Sequence, residues 1–71
     1  MKTNDIVKFN SNAKSAAALF CHQKSISGLI VGIDNISQRY IVNVGFKYLI
    51  YERAECIDLI VGANEIPDEI D

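Results

Sequence analysis

Seventy-one residues make one domain and leave no room for a second core. No stretch approaches the roughly 20 apolar residues that span a bilayer, and MKTNDIVKFN lacks the apolar run of a signal peptide. With only two cysteines, Cys21 and Cys56, the chain can close one disulfide at most, so the sequence predicts a cytoplasmic protein with reduced, packed thiols.

A domain this short needs an apolar core, a staple or a partner subunit. At 49% hydrophobic the chain carries more apolar surface than it can hide, which predicts an apolar groove or subunit interface. The plainer alternative is a scatter of exposed isoleucines. The net charge of −2 is unevenly spread. Lys2, Lys8, Lys14, Lys24, Arg39 and Lys47 against Asp5 and Asp34 leave residues 1–51 at +4. Seven acids against Arg53 leave residues 52–71 at −6. Such asymmetry fits a nucleic-acid-facing body with an acidic tail or, more commonly, a solvated tail that keeps a small domain soluble.

Along the chain, DIVKF (5–9) alternates as a strand, with Val7 and Phe9 on one side and Ile6 and Lys8 on the other. NSNAKSAAALFCHQK follows. Ser11 or Asn12 can cap a helix over about residues 12–23, in which Ala16, Ala17, Leu19, Phe20 and Cys21 recur at helical spacing. SGLIVGID (27–34) reads as a strand buried on two sides, with Gly32 marking a bulge or bend. After a turn at Asp34-Asn35 comes QRYIVNV (38–44), with Tyr40, Val42 and Val44 on one face. Gly45, Phe46 and Lys47 form a tight hairpin into KYLIY (47–51). ERAE is a polar one-turn connector to a last short strand, CIDLI (56–60). The predicted organisation is a domain over residues 1–61 and an acidic, weakly ordered tail over 62–71.

The series DIVKF, GLIVGI, RYIVNV and YLIY-ERAE-CIDLI resembles SH3-like and Tudor-like barrels over residues 4–60. The resemblance implies a mostly β fold: a small five-stranded SH3-like barrel with one helix inserted between strands 1 and 2. A narrower similarity links Asp5-Ile6-Val7, Gly28-Leu29-Ile30-Val31-Gly32 and Ile50-Tyr51-Glu52-Arg53-Ala54 to the plasmid-borne type II dihydrofolate reductases. These are SH3-like protomers that form a tetramer around a pore. In that family a glutamine that binds the ligands precedes Ile-Tyr; here the position is Leu49, which can neither donate nor accept a hydrogen bond.

No enzyme signature emerges. Cys21, His22 and Cys56 lack the paired spacing of a zinc site. Adjacent helical residues diverge by about 100°, so Cys21 and His22 do not make a nucleophile–base pair. Glu52 and Glu55 read as a solvated corner rather than a catalytic pair. The glycines at 28, 32, 45 and 62 do not form a phosphate loop. No metal or other cofactor is predicted.

Binding remains. Leu29, Val31 and Leu49 face outward if Ile30, Ile33 and Ile50 fill the core, and Tyr48 joins them as a further candidate for the binding surface, with Tyr51 partly in the core. This predicts a protein partner or a second copy of the chain. The alternative is a nucleic-acid platform built from Lys8, Arg39, Tyr40, Lys47 and Tyr48. The short, isoleucine- and asparagine-rich chain resembles bacterial or phage accessory and inhibitor proteins.

Overall fold

Alternation along the first strand decides which side of the sheet becomes the inside. In the computed structural model, which describes residues 1–45 and 48–63, Val7 and Phe9 are buried while Ile6 is half-buried and Lys8 exposed. The elements follow as β1 (Ile6–Phe9), α1 (Ala16–Lys24), β2 (Ser27–Asp34), β3 (Arg39–Gly45), β4 (Tyr48–Glu52), a 3-10 turn (Ala54–Cys56) and β5 (Ile57–Val61). All strand pairs are antiparallel, and the sheet order is β4-β3-β2-β1-β5.

The expected closed barrel is corrected here: β4 and β5 are the two edges of one open sheet, with α1 lying against β1 and β4. The core fills the side that α1 covers. It joins Val7, Phe9, Ile30, Val42, Ile50 and Ile57 from the strands to Ala13, Ala18 and Cys21. Gly28 allows the layers to meet. A Cβ there would sit 2.5 Å from the Val42 Cγ1 and 3.0 Å from the backbone oxygen of Asn43. Gly32 marks the bulge the sequence predicts, because the β2–β3 register slips between Ile30 and Gly32 and leaves Val31 extra.

The helix is shorter than expected. It begins at Ala16, and its cap is Ser15, whose Oγ accepts the Ala18 N–H at 3.1 Å, rather than Ser11 or Asn12. Residues 10–14 are instead drawn into non-helical bonds. The Asn12 N–H goes to the Asn10 Oδ1, the Ala13 N–H to the Asn10 carbonyl, and the Lys14 N–H to the Glu52 carboxylate. Ala18 and Cys21 form the buried stripe, flanked by Ala17 and Leu19, whereas Phe20 is exposed beneath the Lys24 ammonium. The helix ends on Ser25 at φ 57°, where the Ile26 N–H reaches back to the Cys21 carbonyl at 2.9 Å. Phe46 and Lys47 of the expected hairpin and residues 64–71 of the expected tail lie outside the described residues.

Two substitutions test this packing by chemical denaturation. Gly28→Ala forces a methyl into Val42 and the Asn43 backbone, and is expected to cost about 1–3 kcal/mol. Ser25→Gly relieves the left-handed backbone of an exposed serine, and is expected to stabilise by up to about 1 kcal/mol.

Candidate protein-binding surface

Because Val7, Ile30, Val42 and Ile50 point inward, their strand neighbours must point out. The register aligns these neighbours in rows. One row runs Val61, Ile6, Leu29, Asn43 and Leu49 across all five strands. A second sets the Val31–Gly32 bulge against Ile41 and Ile41 against Tyr51. Leu29, Val31, Leu49 and Tyr51 are exposed, and Ile6 and Ile41 are half-buried. Asn43, in the middle, spends its side-chain oxygen on the Gly45 N–H at 2.9 Å. These two rows therefore form an apolar strip with one polar side chain, already bonded, within it, bordered on the same face by Lys8, Ser27 and Asp58 on one side and by Asp34 and Arg39 on the other.

Of the apolar set expected from the sequence, the sheet brings Leu29, Val31 and Leu49 together. Tyr48 is not among them. It pairs with Gly45 on the helix side and lines an apolar cleft of about 620 Å³ with Ala16, Ala17, Phe20, Ile26 and Val44. Tyr51, expected to be partly core, is 46% exposed and takes the outer place beside Leu49. Strict alternation from Ile50 is the signal for this. Ile33, expected in the core, is 45% exposed: it pairs with Tyr40 beyond the last core layer.

The basic and aromatic set is spread out. Lys8 lies beside His22 and Asp58, and Tyr40 beside Met1 and Ile33. Arg39 is in a polar cleft with Lys14 and Arg53, and Tyr48 is against α1. Lys47 lies outside the described residues.

That polar cleft, of about 680 Å³, holds the group the sequence reading misplaced. Glu52 is not a solvated corner residue: it is 2% exposed. Its Oε2 accepts the backbone N–H groups of Lys14 and Ser15, both at 2.9 Å. Burial pushes its carboxyl upward, but these N–H groups, the Ser15 hydroxyl and the Cys56 thiol outweigh burial and hold it below the usual glutamate range. A general acid needs the opposite shift. Cys56 is buried, donates to the Asn12 carbonyl at 3.2 Å, and has its thiol pushed up by burial and by Glu52, which disfavours the thiolate. Cys21 is likewise a free, buried thiol pushed up by burial. His22 is exposed and donates from Nδ1 to the Phe9 carbonyl at 3.1 Å. Among the described residues no group of three or more His, Cys, Asp or Glu could hold a metal ion, and no helix is long and apolar enough to cross a membrane.

No protein-family model, curated protein or solved structure matches the chain.

Glu52 generates a prediction about acid. Its folded-state pKa is depressed, as is that of Asp5, which accepts the Lys2 and Ala63 N–H groups. Their contribution is full above the ordinary carboxylate range, about 4, and is lost as pH falls through the depressed folded values. Glu52→Ala strands two N–H groups and is expected to cost about 2–4 kcal/mol at neutral pH. It should also flatten the acid limb of the stability–pH curve, measured by denaturant titration between neutral pH and the acid range.

Proposed function

We propose that the chain is a small SH3-like binding module that acts through protein–protein contact rather than catalysis. An SH3-like arrangement is supported by the β2–β3–β4 meander, the bulge in β2, the 3-10 turn before β5 and the β1–β5 pairing. The binding reading rests on one observation: Leu29, Val31, Leu49 and Tyr51 stand exposed side by side on the outer face, with no charge among them. Contiguous apolar surface of this kind is unfavourable in water and marks interaction sites. Leu49 and Tyr51 sit at the β4 edge and Leu29 and Val31 on β2, so a partner covering the patch spans three strands.

The occupant that fits is a protein surface with its own apolar side chains. A polar small molecule would find almost no unbonded hydrogen-bonding side chain there. Nucleic acid is the less favoured occupant: Lys14, Arg39 and Arg53 do share a cleft with Tyr51, but Asp34, Glu52 and Glu55 line the same cleft and oppose a phosphate there.

Affinity capture with wild-type chain and with Leu29→Lys tests this. An apolar interface holds its partner in roughly 1 M salt, where charge attraction is screened within about 3 Å. The wild type is expected to retain a discrete protein under those conditions. Leu29→Lys, a change at an exposed position, is expected to weaken capture at least about tenfold. Release of nucleic acid at moderate salt, or equal capture by the variant, contradicts the proposal.

A further inference from the structure

The two edges of the open sheet are not alike. β5 carries Asp58, bonded to the Asn10 side chain at 3.1 Å, and slips register against β1 beside Ile60. A charge and a bulge are the devices by which proteins keep an edge strand from pairing. β4 has neither. Its sequence is YLIYE, and the register slip at this end of the sheet falls on the β3 side, at Val44. Its single charge, Glu52, is buried and committed to α1. Among the described residues, the β4 backbone makes no hydrogen bond other than those to β3. A strand pairs on one side only with alternate residues, so every second N–H and C=O of β4 faces outward from the sheet.

We propose that β4 is an assembly edge, at which a second copy of the chain adds its own β4 antiparallel about a twofold axis through Ile50. This goes beyond the partner-binding reading and does not depend on it. The occupant follows from the strand itself. Full overlap of Tyr48–Glu52 with its copy sets Leu49 against Tyr51 of the partner, and Tyr51 against Leu49 of the partner. Both are aromatic–aliphatic pairs of the kind that stabilise sheets. It brings no two described like charges opposite one another. The two apolar rows also continue without a break: the row ending at Leu49 in one copy meets the row ending at Tyr51 in the other. The outer face becomes one surface across ten strands. A twofold contact is closed, so assembly stops at the dimer.

Sedimentation equilibrium of the full chain over a concentration series, at low and high salt, provides the test. The expected result is a monomer–dimer equilibrium that salt barely moves. Leu49→Lys, or Tyr51→Lys as a second variant, places a lysine on the edge and is expected to weaken the dimer at least about tenfold. Leu29→Lys alters the same face two strands away, and is expected to leave dimerisation within about twofold of wild type. All three positions are exposed, and circular dichroism checks the fold. A mixture of isotope-labelled and unlabelled chains should show backbone contacts between Leu49 of one copy and Tyr51 of the other. Three results would overturn the proposal: a monomer throughout, assemblies that grow past the dimer through β4–β5 pairing, or equal loss in Leu29→Lys and Leu49→Lys, which signals face-to-face stacking. None of these decides the partner-binding reading, which the capture experiment tests separately.

Discussion

A nine-residue helix has to be held in place by the rest of this protein, because alone it falls below the length at which helices persist in water. Ser15 satisfies one N–H from within the helix, and Ala18 and Cys21 supply only a narrow apolar stripe. The decisive contact comes from 37 residues away, where the Glu52 carboxylate takes the Ser15 N–H and, with it, that of Lys14. A buried carboxylate in this position is favoured twice. It receives charge-assisted hydrogen bonds, and it faces the positive end of the helix backbone. Through this contact α1 is fixed across the side of the sheet that no strand closes.

Asp5 repeats the device at the other end of the fold. It is buried, and its two carboxylate oxygens accept the Lys2 N–H at 2.8 Å and the Ala63 N–H at 2.7 Å. Its own backbone oxygen accepts the Ile30 N–H. One residue thus gathers the start of the chain and the exit of β5 with its side chain and the middle of β2 with its backbone. The domain combines a modest core with two buried acids, each of which replaces backbone–water hydrogen bonds at a point where three segments converge. The interior can be small because these junctions are made by directional bonds rather than by apolar bulk.

Much of this was legible from the sequence. The bounds of β2 follow from SGLIVGID, the inward side of β1 from Val7 and Phe9, and the bend from Gly32, since each depends on local alternation or on a single permissive residue. What was missed depends on partners distant in sequence. Ser11 and Asn12 have the right chemistry for a cap, but Asn10 and the Glu52–Glu55 corner occupy the backbone and side chains of residues 12–15. The sides taken by Tyr48 and Tyr51 follow from parity alone. Once Ile50 is inside, period-two alternation puts Leu49 and Tyr51 outside together and sends Tyr48 and Glu52 inward. A glutamate next to a corner reads as solvated by habit; its parity with Ile50 argued otherwise.

That parity also explains why so much apolar surface is exposed on β4. Shifting the strand by one residue would bury Leu49 and Tyr51 and return Glu52 to water, which a hydropathy count alone would prefer. The shift would leave the Lys14 and Ser15 N–H groups without an acceptor and would turn Ile50 out of the core it shares with Val42 and Val7. Unsatisfied buried donors cost about 1–3 kcal/mol each, which is comparable with what burying a leucine gains. The loss of Ile50 from the core then decides against the shift. The outward position of Leu49 and Tyr51 is therefore a consequence of the inward position of Glu52. The contact that holds the helix in place is the same one that presents the apolar face.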